Sequence, residues 1–85
     1  MPSDVRELRG IPIWLLQEYV ADAGGTKNAA GTYEGDGWTV RLEQIEDFKI
    51  GSLAVGQVRI DMRGTPEGLA RLLDQLEPRL VRAGG

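Results

Sequence analysis

Apolar and polar positions alternate along three runs between Gly37 and Arg63. Trp38, Val40 and Leu42 interleave with Thr39, Arg41 and Glu43. Phe48 and Ile50 flank Lys49. Val58, Ile60 and Met62 interleave with Arg59 and Asp61. A period of two marks strands with one buried face and one wet face. Val5-Arg6-Glu7-Leu8-Arg9 alternates more weakly and predicts a first strand ending at Gly10. Two other segments follow helical spacing instead. Leu15, Leu16, Tyr19, Val20 and Ala23 form one stripe, predicting a helix over 12–23 with Pro12 at its first position and Gly24-Gly25 as its C-terminal cap. Leu69, Leu72, Leu73, Leu76 and Leu80 form a second stripe. Thr65 is placed to cap that helix, with Pro66 at its first position and Glu67 at the positive end of its dipole. Pro78 removes a hydrogen bond, which predicts a kink, or a break near Leu76-Glu77.

The connections complete the order. Thr26 to Glu34 reads as a weaker strand, and Glu34-Gly35-Asp36-Gly37 as a tight turn. Gln44-Ile45-Glu46-Asp47 interrupts the alternation and calls for a turn or bulge. Gly51-Ser52 reads as a two-residue hairpin, with Ile50 facing Leu53 and Phe48 facing Val55. Leu53 and Val55 then have the opposite parity to Val58, Ile60 and Met62. A bulge at Gly56 is expected to bring all five to one face. The result is an α+β domain of order β-α-β-β-β-β-α. Its antiparallel sheet carries both helices on one face and leaves the other to solvent or a partner. A chain of 85 residues makes this a single domain, 1–85.

Charge and composition narrow the chemistry. A net charge of −3 argues against non-specific binding to nucleic acid and against docking on anionic lipid. The chain has neither cysteine nor histidine, which excludes disulfides, thiolate chemistry and the usual transition-metal ligands and nucleophile–base pairs. That composition suits a reducing cytoplasm. No apolar run approaches the roughly 20 residues needed to span a membrane, and Met1-Pro2-Ser3-Asp4 does not resemble a signal peptide.

Several groups could carry function. Glu43, Glu46, Asp47 and Asp61 could form an acid pair or an oxygen-ligand metal site. Glu43 and Asp61, however, fall on the wet face among Arg41, Arg59 and Arg63, so salt-bridged exposure is the better reading. Gly24-Gly25-Thr26-Lys27 has the residues of a phosphate loop but follows a helix instead of preceding one, which favours a cap. The wet face, with Arg41, Glu43, Lys49, Arg59, Asp61 and Arg63, is the candidate partner surface. An ordinary solvated face is the competing reading. Tyr33, beside the exposed turn, is a candidate interface anchor, while Trp38 and Trp14 are expected in the core. The tail Leu80-Val81-Arg82-Ala83-Gly84-Gly85 resembles the end of a ubiquitin-like carrier, but it follows a helix, and a frayed helix end is the better reading.

Four stretches together resemble a known family. They are Gly10-Ile11-Pro12 before a Trp-Leu-Leu helix, Gly35 to Leu42, Gly51 to Val58, and Arg82-Ala83-Gly84-Gly85. With the element order, they make the chain similar to the C-terminal domain of proteins related to the small subunit of molybdopterin synthase, the MoaD-related proteins. In those proteins the domain follows a ubiquitin-like sulfur carrier. This chain reads as the second domain alone. The resemblance implies a curved antiparallel sheet of the TATA-binding-protein class with helices on one face. It also implies a link to molybdenum-cofactor biosynthesis or sulfur transfer, and it supplies no catalytic residue and no cofactor.

The leading expectation is therefore a non-catalytic interaction module whose partner is a protein or, in a homodimer, a second copy of the chain. Nucleic acid and membrane are not expected partners. The alternative is a small-ligand-binding or catalytic domain. It would need a pocket of at least ~300 Å³ between sheet and helices, with converging polar groups.

Overall fold

The computed structural model describes residues 2–84. Five strands and two helices follow one another as β1 (Ser3–Arg9), α1 (Ile13–Asp22), β2 (Thr26–Lys27), β3 (Tyr33–Gly35), β4 (Trp38–Ile50), β5 (Leu53–Gly64) and α2 (Pro66–Gly84). The strands form one antiparallel sheet of order β1-β5-β4-β3-β2. The α+β class and the helix positions match the expectation, with differences in how the strands divide.

Residues 26–34 are two strands instead of one. The chain folds back between Lys27 and Tyr33, and Thr26 pairs with Glu34. Asn28 holds this loop: its Oδ1 accepts from the backbone N–H of Ala30 at 2.9 Å and Thr32 at 3.0 Å, an Asx arrangement that competes with a straight strand. The segments 38–42 and 48–50, in contrast, merge into the single long strand β4.

Pro12 is the N-cap of α1 and not its first helical residue, because its ψ of 145° is extended. At the other end Gly24 N donates to Ala21 O and Gly25 N to Val20 O, both at 3.0 Å. With Gly24 at φ 103°, this is the paired bonding of a Schellman cap. Gly24 to Lys27 therefore ends a helix, as its place after the apolar stripe predicts. α2 starts as its sequence predicts: Gly68 N donates to Thr65 Oγ1 at 3.0 Å. It then runs without a break through Pro78, which lies on the exposed side, where the carbonyl left unpaired by proline faces water.

Both helices cover one face of the sheet. Leu16 and Val20 of α1 and Leu69, Leu72, Leu76 and Leu80 of α2 meet Trp38 and Val40 of β4 and Val58, Ile60 and Met62 of β5. The fully buried ones among them, such as Leu16, Ile60 and Leu72, each contribute roughly 1.5–3 kcal/mol relative to exposure. The Trp38 ring dictates glycine around it: a Cβ on Gly35 would lie 2.1 Å from that ring. A Cβ on Gly64 or Gly68 would lie 2.2 Å from the Gly37 carbonyl oxygen, so the Asp36-Gly37 turn seats directly on the start of α2. Thr65 N donates to that same oxygen at 2.9 Å.

The β4–β5 ladder contains one register shift. Ile45 pairs with Gln57 but Phe48 pairs with Val55, so Glu46 and Asp47 together oppose Gly56. The bulge therefore lies in β4, within the Gln44–Asp47 stretch where the broken alternation calls for a turn or bulge, and not at Gly56 in β5. Since β5 gains no residue, Leu53 and Val55 stay on the face opposite Val58, Ile60 and Met62, and the expectation that all five share a face fails. The predicted facing pairs Ile50–Leu53 and Phe48–Val55 are present. Gly51, first in the turn between them, has the φ of 59° that a II′ hairpin requires.

Candidate functional site

The helix-free face of the sheet follows from register. On β5 it carries Arg63, Asp61, Arg59 and Gln57, then Val55 and Leu53. Their partners on β4 are Thr39, Arg41, Glu43 and Ile45, then Phe48 and Ile50. β1 adds Val5, Glu7 and Arg9 beside Asp61, Arg59 and Gln57. One surface thus changes from charged to apolar along the length of the hairpin.

In the charged half, Arg59 bridges two strands. Its Nη2 donates to Glu7 Oε2 at 3.0 Å and its Nη1 to Glu43 Oε1 at 3.2 Å. Arg63 Nε donates to Asp61 Oδ1 at 3.1 Å, and this contact raises the Arg63 pKa above its ordinary value. Pairs this exposed are screened by solvent, so they order the surface more than they stabilise the fold.

The apolar half lies beyond the buried core, which contains no residue between Leu42 and Val58. Ile50 is 58% exposed and Leu53 68%. The Arg9 guanidinium carbon lies 3.5 Å from the Phe48 ring centroid, and Arg9 Nε donates to Gln57 Oε1 at 3.3 Å. The stacked Arg9 thus joins the two halves.

Of the residues expected on this surface, Arg41, Glu43, Arg59, Asp61 and Arg63 are on it. Lys49 is not. The extra residue in β4 puts Phe48 on the helix-free face and turns Lys49, paired with Ala54, to the opposite one. Tyr33 is also absent from it: the side chain is 8% exposed and belongs to the core. Its partner across the sheet is Val40, and facing residues share a side of the sheet. Counting outward from the two-residue turn finds this, since Gly35 opposes Trp38 and Tyr33 then opposes an apolar residue. Trp14 is 58% exposed, contrary to expectation. It lies one turn before Glu18, on the polar side of α1. The apolar residues Ile45, Phe48, Ile50, Leu53 and Val55 were not legible as part of this surface, because their side of the sheet depends on where the bulge falls.

The space between sheet and helices is filled by Leu16, Ile60, Met62, Leu72, Leu76, Val20, Val40 and Val58. Among the described residues no polar or charged side chain is buried, and no three acidic side chains converge as metal ligands would. The larger hollows are surface clefts. One of about 450 Å³ lies between the β1 margin and Leu80-Val81, one of about 440 Å³ lies among Pro12, Trp14, Gln44 and Gly56, and one of about 310 Å³ lies beside Trp38, Arg63 and Thr65. None of the three has the converging buried polar groups that the ligand-binding alternative requires. No helix of the described chain is long and apolar enough to cross a membrane. Gly85, the end of the carrier-like tail, lies outside the described residues.

Comparison with known proteins adds one finding. A family model described as archaeal MoaD-like protein matches residues 4–85. No curated protein matches the chain.

Proposed function

This chain belongs to the archaeal MoaD-like protein family, and from that membership we propose that it is a non-catalytic interaction module acting beside molybdenum-cofactor or sulfur-transfer proteins in the cytoplasm. The observation that carries the interaction role is the exposed pair Ile50 and Leu53 at the end of the helix-free face. They adjoin Phe48 and Val55 and lead into the Glu7–Arg59–Glu43 lattice. An exposed apolar patch that meets charged residues along its border is a feature of protein-binding surfaces. The acid residues on the same face disfavour nucleic acid as its ligand. The free margin of β1 supports a second reading, association of two copies of the chain.

Affinity capture with the wild-type chain and with Ile50→Ser/Leu53→Ser tests the first reading. Recovery of sulfur-transfer or molybdenum-cofactor proteins by wild type alone is the expected outcome. Equal recovery by the variant would take the interface off this face. Failure of both chains to recover any such protein would remove the pathway assignment.

A further inference from the structure

β1 is the long uncovered margin of the sheet; the opposite margin is the two-residue β2. Gly64 N donates to Pro2 O at 3.3 Å and Gly10 N to Gly56 O at 2.9 Å. Antiparallel ladders bond alternate residues to a given neighbour. The even-numbered residues of β1 therefore bond β5, and the N–H and C=O groups of Ser3, Val5, Glu7 and Arg9 point away from the sheet. The Val5 side chain between them is 52% exposed.

Edge strands are commonly guarded by charge, and β1 carries Asp4, Arg6, Glu7 and Arg9. Their order repels most self-pairings but permits one. A two-fold antiparallel pairing that keeps the helices of both copies on one side must centre on a residue, because facing residues share a side. Centring on Asp4, Arg6 or Glu7 sets that charge against itself. Centring on Arg9 does the same, and centring on Ser3 or Leu8 engages only one end of the strand, which Gly10 at φ 76° closes beyond Arg9. Centring on Val5 sets Val5 against Val5, Ser3 against Glu7, and Asp4 against Arg6 in both directions. Within one chain Arg6 already donates to Asp4 from Nε at 3.1 Å and from Nη2 at 2.9 Å, with Glu77 3.2 Å from the same nitrogen. Two copies would close Asp4 and Arg6 into a ring of alternating charge.

We propose that β1 pairs antiparallel with β1 of a second copy, centred on Val5, joining two sheets into one. This rests on the self-association reading and adds its register. It is independent of the helix-free face.

The chain has no cysteine, so a single introduced thiol reports the register. In this pairing the two Val5 Cα atoms lie ~5.5 Å apart, within disulfide reach, while the two Glu7 Cα atoms lie more than ~10 Å apart. Val5→Cys is expected to oxidise to a covalent dimer at least about tenfold faster than Glu7→Cys or Arg9→Cys. In sedimentation equilibrium the wild type is expected to be a dimer, Asp4→Arg a monomer, and Asp4→Arg/Arg6→Asp a dimer again. A monomeric wild type would overturn both the proposal and the self-association reading. A dimeric wild type that cross-links faster through Glu7→Cys or Arg9→Cys, or a dimer that survives in Asp4→Arg, would overturn the register while leaving self-association in place.

Discussion

The two halves of the β4–β5 hairpin have the same local pattern and opposite fates. From Trp38 to Leu42 and from Val58 to Gly64, the alternating apolar residues lie under two helices and form the core. From Phe48 to Val55 the alternation continues, but its apolar residues lie on the helix-free face, and Ile50 and Leu53 face water. The division falls at the bulge, where Glu46 and Asp47 oppose Gly56. Alternation therefore specifies a strand and its two faces, while the layer above it decides whether an apolar face becomes core or surface. The anchored half makes the fold, and the free half stays exposed.

Matched substitutions should separate the halves most widely. Ile60→Ala removes a fully buried side chain and is expected to cost about 2–5 kcal/mol in denaturant unfolding. Ile50→Ala, in a half-exposed position on the same ladder, should stay within about 0.5 kcal/mol while weakening partner capture. Comparable losses at both sites would mean that the free half is packed after all.

A glycine pair makes the same comparison at the backbone. A Cβ on Gly64 would lie 2.2 Å from the Gly37 carbonyl oxygen and 2.8 Å from the Trp38 Cα, both main-chain atoms that cannot swing aside. Gly64→Ala should therefore cost about 1–3 kcal/mol, as overpacking does. A Cβ on Gly56 would meet nothing within 4 Å, so Gly56→Ala should be neutral or stabilising by up to about 1 kcal/mol. Thermal unfolding of the two variants gives both answers.

Between the halves stands Arg9, stacked on Phe48. Arg9→Ala is expected to cost about 0.5–1 kcal/mol, with Arg9→Lys recovering only part of it, because a planar guanidinium stacks where an ammonium does not. Equal stability of Arg9→Lys and wild type would reduce the stack to simple charge.

The sequence was most legible where a residue's neighbours along the chain decide its environment. Thr65 caps α2, Gly24-Gly25 closes α1, and Asp36-Gly37 and Gly51-Ser52 turn the hairpins because their conformational preferences act within a few residues. It was least legible where one distant residue decides. Lys49 lies on the unexpected side because the bulge within Gln44 to Asp47, which the broken alternation does mark, reverses the parity of every residue of β4 beyond it. Tyr33 is buried because Val40 lies opposite it. Residues 26–34 split into two strands because Asn28 bonds its own loop, a tertiary-scale gain that strand propensity does not register. The side of the sheet that Phe48 and Ile50 take follows from the bulge, whereas Arg59 and Glu43 share a face by alternation alone.

The smallest effect belongs to the anchored half, where Asp4 lies opposite Met62 and bonds Arg6. The hydrogen bonds from Arg6 hold the Asp4 carboxyl below its ordinary value of 3.8, against an opposing upward pull from burial and with added attraction from the Arg6 charge. A carboxyl whose pKa is depressed by folding stabilises the fold at pH above its unfolded value, and that stability disappears as pH falls through the folded value. Asp4→Asn should thus be less stable than wild type at neutral pH by only about 0.2–0.5 kcal/mol, since the pair is partly exposed. The difference should shrink below about pH 4 and vanish once wild-type Asp4 is protonated in both states. Because this loss is read from unfolding at low protein concentration, it reports the pair within one chain. A gap that instead widened toward acid pH would mean that burial dominates over Arg6, and that Asp4 is held as a strained charge in the anchored half.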